Sequence, residues 1–254
     1  MSQVMDRIRL AALRAAKGPL ADARERPLFD RVPAGSPFPA EAGPEEWLAR
    51  FKAELEALTA RVYGPFDEEA VAAQVAEIVL AKKSPTPNPQ PPTPIKVLSW
   101  SEAEIGVPGL ARQLREEGIE MVVGGVPNDD GHQKALEEMA GLEVGITGAI
   151  AALAETGSLV VASGPGRARI ASLLPPVHIA VVGLQRLYPT MHEWLSVGGA
   201  ELARRTANLV VITGSSRTSD IELQLTLGMH GPKELHVVLY GDKPKAPTIY
   251  GEGP

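Results

Sequence analysis

Lys96-Val97-Leu98-Ser99-Trp100, Glu120-Met121-Val122-Val123 and Leu142-Glu143-Val144-Gly145-Ile146 are short, mostly apolar runs of strand length. Between them lie Pro108 to Glu117 and Gln133 to Met139, which space their apolar residues as helices do. Strand-length runs separated by helical periods predict βαβ units and a mostly parallel sheet covered on both faces, an α/β fold. Further strands are expected at Leu159 to Ala162, His178 to Val182, Leu209 to Ile212 and Leu235 to Leu239, with a helix from about Tyr188 to Arg205. Upstream, Pro44-Glu45-Glu46 opens a helix whose Trp47, Leu48, Phe51, Leu55 and Leu58 fall on one face. A short strand over Thr59 to Tyr63 and a helix over Asp67 to Lys83, with Val71, Val75, Ile78 and Val79 inward, come next. The prolines from Pro85 to Pro94 forbid helix and central strand, so that stretch reads as an extended surface connector.

Residues 2 to 17 read as a short helix cut off by Gly18-Pro19, and the stretch to Gly43 is rich in Pro, Gly and charge. Residues 1–43 are therefore expected to be a helix and proline-rich arm that is mobile or packs on a partner subunit, and residues 44–254 an α/β domain. The net charge is −6 without a Lys/Arg-rich run, which argues against a nucleic-acid surface or an anionic membrane face. There is no cysteine, so the chain offers no disulfide, no thiolate nucleophile and no cysteine ligands for zinc or an iron–sulfur cluster. The first 18 residues are interrupted by Asp6, Arg7, Arg9 and Arg14, and no stretch nears the roughly 20 apolar residues of a spanning helix, so a cytoplasmic location is expected.

Two places break the pattern of a well-packed sheet. Gly145-Ile146-Thr147-Gly148-Ala149 and Ala154-Glu155-Thr156-Gly157-Ser158 put polar residues among glycines inside an apolar region, at a cost in ladder stability and burial. Downstream, the strand ending at Ile212-Thr213 runs into Gly214-Ser215-Ser216-Arg217-Thr218-Ser219-Asp220-Ile221-Glu222. Ser219 and Glu222 have capping-box spacing, which predicts a helix start whose free N–H groups make an anion pocket. Departures of this kind mark sites.

Three ordered blocks carry a family resemblance across roughly residues 44 to 240. They are the Gly145 to Ser158 glycine turns, Leu173-Leu-Pro-Pro-Val-His-Ile-Ala-Val-Val182, and Ser216 to Glu222 with Gly228-Met-His-Gly-Pro-Lys233. Together they resemble the LUD-domain family and, within it, the C-type lactate-utilisation proteins. The resemblance implies a three-layer NagB/RpiA/CoA transferase-like fold, that of sugar-phosphate isomerases and CoA transferases. It also implies a bacterial role in oxidising L-lactate to pyruvate beside iron–sulfur partner proteins. Clusters would then sit on those partners, in keeping with a chain that has no cysteine. Family members often carry proline where Ser215 stands, and larger relatives append a cysteine-rich, ferredoxin-like region.

Among single residues, Glu155 is a candidate base, or it orders the glycine turns, and Thr147 and Thr156 are candidate contacts to a small 2-hydroxy or 2-oxo acid. Arg217 with Ser215, Ser216 and Thr218 suits a carboxylate or phosphate, the alternative being an ion pair with Asp220 or Glu222. His178 and His230 are candidate ligand contacts. With His132, His192 and His236 they would make a metal site only if three converged, and no pair has metalloprotease spacing. Ser163 to Arg167 lacks the residues of a phosphate loop and reads as a tight hairpin or lid, and Trp47, Trp100 and Trp194 are scattered, as core residues are. Because open α/β sheets bind ligands beyond the carboxyl ends of their strands, Glu155, Thr156, Arg217, Thr218 and His230 are expected to share a pocket there. A free-standing enzyme on small phosphorylated or acyl substrates, and an assembly protein with a vestigial pocket, are the competing readings.

Overall fold

The computed structural model describes residues 42–82, 94–124, 132–219, 225–227 and 231–242. The expected N-terminal helix and arm, the connector through residue 93, and Asp220, Glu222 and His230 lie outside the described residues.

Helix α1 (Pro44–Ala57) begins with the proline that sequence analysis placed there, and buries Phe51 and Leu55. It leads into β1 (Arg61–Phe66) and α2 (Glu68–Ala81), whose Val71, Val75, Ile78 and Val79 are buried as their spacing predicts. Next come β2 (Ile95–Ser99), a short α3 (Glu102–Ile105) that the apolar pattern did not reveal, α4 (Leu110–Glu116), β3 (Ile119–Val123), α5 (His132–Ala140) and β4 (Val144–Gly148). With β7 (Val177–Gly183) and β12 (Glu234–Tyr240), these strands form a six-stranded sheet of order β1-β12-β7-β4-β2-β3, parallel at every pairing. The central strands β4 and β7 are buried along their whole length, which is why they read as near-continuous apolar runs.

The expected strands at 159–162 and 209–212 form, but not in the parallel sheet. β5 (Ala151–Leu153), β6 (Ser158–Ala162), β8 (Leu187–Tyr188) and β9 (Leu209–Ile212) make a second sheet of order β8-β5-β6-β9, in which β6 pairs antiparallel with both β5 and β9. The four-residue connection Ala154 to Gly157 is the reason: a parallel crossover needs a dozen residues or more, so so short a link returns the chain antiparallel. A second difference concerns the expected helix from Tyr188 to Arg205. Tyr188 ends β8, and the helix is split into α6 (Met191–Trp194) and α7 (Ala200–Arg205) by a kink at Leu195–Gly199, where Gly198 takes φ of 119°.

The layers follow from the burial. Apolar side chains of α2 and α4 cover one face of the parallel sheet through Val97, Ile146, Ile179, Val181 and Val238. Phe51 and Leu55 of α1, together with Ala152 and Leu159 of the second sheet, cover the other face over Ala180, Val182, Leu235, Val237 and Leu239. Trp100 and Trp194 are buried core residues, and Ser163 to Arg167 closes as a tight hairpin through paired backbone bonds between Gly164 and Arg167. Among the described residues no helix is long and apolar enough to cross a membrane.

Candidate functional site

Two side chains cross-link described loops near the carboxyl ends of the parallel strands, where a ligand is expected. Arg186 donates to the carbonyl of Ala149 just past β4, and the Tyr240 hydroxyl at the end of β12 donates to the carbonyl of Gly106 at 2.9 Å. Burial pushes the Tyr240 phenol up, against a smaller opposing effect of the Arg186 charge, so it remains a protonated donor. These two side chains fasten the loop after β4 and the end of α3.

A cleft of about 300 Å³ opens instead at the amino ends of β7 and β12. Ser172 and Leu173 form one wall, Val211 to Ser216 another, Gly231 and Pro232 the rim, and His178 and Leu235 the floor. His178 and Leu235 are register partners, each the second residue of its strand, so both side chains point to the face covered by α1 and the second sheet. The Ser172 wall approaches because residue 145 is glycine: a β-carbon there would overlap the carbonyl oxygen of Ala171, in the 3₁₀ turn Arg169–Ser172. Gly145 lies inside β4, as the strand expected over 142–146 has it, and serves close packing rather than a turn.

Thr147 and His178 form a buried pair behind the cleft, with Thr147 Oγ1 2.8 Å from His178 Nε2 and side chains 0% and 1% exposed. Burial, with a smaller contribution from the charge of His236, lowers the His178 pKa to about 4, so its imidazole is neutral near pH 7. Among the described residues that line the cleft none is charged; four carry hydroxyls, Ser172, Thr213, Ser215 and Ser216. The Gly214 to Ser216 loop is pinned by the Ser216 N–H donating to the Pro232 carbonyl at 2.9 Å.

The segment after this loop is not a helix start. Arg217–Ser219 is a strand, β10, paired antiparallel with β11 (Leu225–Leu227), and residues 220–224, where the capping box is expected to open a helix, lie outside the described residues. Threonine at 218 and 226, directly opposed, suits a hairpin. The loop's own backbone and hydroxyls, with Arg217 and Thr218 immediately following in β10, are what remains for an anion.

Glu155 and Thr156 are not on the cleft wall. Glu155 is half-buried and Thr156 exposed, rather than both buried as the apolar surroundings suggested. Their turn is nonetheless tied to the cleft by a hydroxyl chain: Thr156 Oγ1 lies 2.7 Å from Ser158 Oγ, which lies 2.7 Å from Thr213 Oγ1. Both loops also rest on the end of α1. A β-carbon at Gly157 would meet Glu54 and Leu55, and one at Gly214 would meet Leu58. The two sequence anomalies are thus neighbours, and Ser158, Ser172 and Thr213, which link or line them, were missed because each looks like an ordinary strand or turn residue.

The remaining polar cluster lies on the opposite face of β12. His236 stacks on Tyr63 with ring centroids 5.9 Å apart, its Nδ1 is 3.1 Å from the Tyr63 hydroxyl, and its Nε2 is 3.3 Å from Glu234. Glu234 is held by Lys82, whose hydrogen bond keeps its pKa low, with Arg61 3.7 Å away. Among the described residues no three His, Asp or Glu side chains are grouped to hold a metal ion.

Comparison with known proteins places this geometry in a family, since the LUD domain model matches residues 48–240. The chain belongs to the LUD-domain family. It is 31% identical over 150 residues to lactate utilization protein C of Halalkalibacterium halodurans, a match covering 58% of this chain and 63% of that protein. A 35% identical stretch of 109 residues is found in lactate utilization protein B of Shouchella clausii, covering 21% of that larger protein. Another at 35% lies in the uncharacterized electron transport protein YkgF of Escherichia coli, over 112 residues, 42% of this chain and 22% of that protein. The chain thus matches less than two thirds of the length of each of these curated relatives. A crystal structure of a DUF162 family protein from Deinococcus radiodurans superposes with a TM-score of 0.55 at 18% identity, covering 79% of this chain and 99% of that one, which shows the fold of the LUD domain to be shared.

Proposed function

We propose that this LUD domain is the cluster-free component of a bacterial L-lactate oxidation system, acting in the cytoplasm beside iron–sulfur partner proteins, and that its cleft binds a small carboxylate. The observation that carries the reading is the cleft itself: a backbone-pinned Gly214 to Ser216 loop, leading directly into Arg217 and Thr218, faces a neutral buried histidine across a space lined by hydroxyls. The names of the relatives supply the chemistry, lactate utilisation and electron transport, and the absence of cysteine supports placing the clusters on other chains. The small carboxylate meets Ser215, Ser216, Arg217 and Thr218 in this reading, while Thr156 and Glu155 support the loop from behind. That none of the described lining residues is charged disfavours the phosphorylated substrates of the enzyme reading, since a dianion calls for more than the single cation Arg217.

Titration calorimetry with L-lactate and pyruvate tests it, saturable binding of either being the expected result and no binding of either overturning it. Arg217→Ala is expected to weaken that binding about 30- to 150-fold, the loss of one charge-assisted pair of about 2–3 kcal/mol, with an unchanged circular dichroism spectrum. An affinity within about twofold of wild type would make Arg217 structural. The purified protein is expected to hold neither iron nor acid-labile sulfide, and stoichiometric amounts of both would refute the division of labour.

A further inference from the structure

The floor of the cleft carries one polar group that the small-carboxylate reading leaves without a task. His178 is 1% exposed, it lines the cleft, and its Nε2 is taken by Thr147. No second hydrogen bond to the ring is found among the described residues, so Nδ1 is the nitrogen left for a ligand. Thr147 sits in β4, two residues beyond Gly145, the register partner of His178, and both side chains face the second sheet. The pair is therefore held by two central strands of the parallel sheet, the most rigid elements available.

Resting on the small-carboxylate reading, we infer that the cleft recognises the oxygen on carbon 2 of its acid through Nδ1 of His178, with the carboxylate turned toward the Gly214 to Ser216 loop. The chemistry suits both partners of a 2-hydroxy/2-oxo couple. When the Thr147 hydroxyl donates to Nε2, the ring offers Nδ1–H to a ketone oxygen; when the hydroxyl accepts from Nε2–H, the ring offers a lone pair to a ligand hydroxyl. The cleft of about 300 Å³ is larger than a three-carbon acid fills, so shape alone does not select the ligand and directed hydrogen bonds must. With no charged side chain among the described lining residues, the floor discriminates by hydrogen bonding, which rejects an analogue lacking the oxygen far better than an apolar wall does.

The test is titration calorimetry of the wild-type chain with pyruvate, L-lactate and propionate, which share the carboxylate and three carbons but differ at carbon 2. Propionate is expected to bind about 10- to 100-fold more weakly than the better of the other two. In the paired variant Thr147→Val with His178→Leu, which replaces both hydrogen-bonding partners by apolar groups of similar size, the three ligands are expected to bind within about threefold of one another, at the level of propionate. Equal binding of propionate and lactate by the wild type overturns this inference while leaving the carboxylate reading standing, and that comparison decides the matter even if the paired variant folds poorly. No binding of any of the three overturns both.

Discussion

Gly145→Ala is expected to cost on the order of 3 kcal/mol or more of folding stability and to abolish ligand binding in the cleft. The added methyl would overlap the backbone carbonyl oxygen of Ala171 and come within 3.1 Å of Pro175 Cγ. Neither neighbour is the free end of a flexible side chain. Residue 145 is also fixed between β2 and β7 by register with Leu98 and His178, so the strand cannot yield. The 3₁₀ turn Arg169–Ser172 has to move, carrying Ser172 and Leu173 off the cleft wall. Overpacking of this kind costs 1–3 kcal/mol in side-chain environments and more where main chain is displaced. Gly141→Ala is the matched control: its β-carbon would meet nothing closer than 3.7 Å, and an effect of at most about 0.5 kcal/mol is expected. Urea unfolding monitored by Trp fluorescence reads both. A Gly145→Ala midpoint indistinguishable from that of Gly141→Ala would show that the turn does not depend on the close approach.

Acidification from pH 6.5 toward 4 is expected to remove about 3 kcal/mol through His178 alone. Its pKa is about 4 in the folded chain against 6.5 in an accessible histidine, so the unfolded state binds the proton first as the pH falls. Stability is therefore fully present above about pH 6.5 and declines through the interval down to about pH 4. Burial lowers the His236 pKa as well, and the Lys82 hydrogen bond lowers that of Glu234; both act in the same direction and add to the slope. The Thr147→Val, His178→Leu pair removes only the His178 part, so its stability should fall less steeply over that interval. Urea unfolding at a series of pH values gives the comparison. Parallel slopes for the two proteins would mean that His178 is not desolvated in the folded chain.

How much of this was legible in the sequence can be argued element by element. The strands of the parallel sheet, the helices that cover it and the inward residues of α1 and α2 followed from apolar spacing, because periodicity reports burial directly. The assignment of 159–162 and 209–212 to the same sheet failed, since an apolar run of four or five residues looks the same whichever neighbours it pairs with. Tight-turn length was the available signal: the short link before Ser158 already required an antiparallel return. Ser219, expected as a helix cap, is the last residue of strand β10, since capping-box spacing is short enough to occur in a hairpin. In the candidate site, His178, Ser215 and Ser216 line one cleft, with Thr147 bonded behind it. Glu155 and Thr156 stand to the side, because a polar residue in an apolar stretch can equally be the exposed tip of a turn.

The sequence by itself determined the strands of the parallel sheet and the helices α1, α2, α4 and α5, the absence of cysteine chemistry and the family to which the chain belongs. All of these rest on local periodicity, composition and ordered motifs. Tertiary structure alone decided that the described strands divide among three sheets and that the cleft opens at the amino ends of β7 and β12. It also decided that Gly145 exists to admit Ala171, and that Thr147 and His178, 31 residues apart, form one buried pair. Those outcomes depend on strand order, register and close approach between distant segments, and no local pattern of residues encodes which strand will lie beside which.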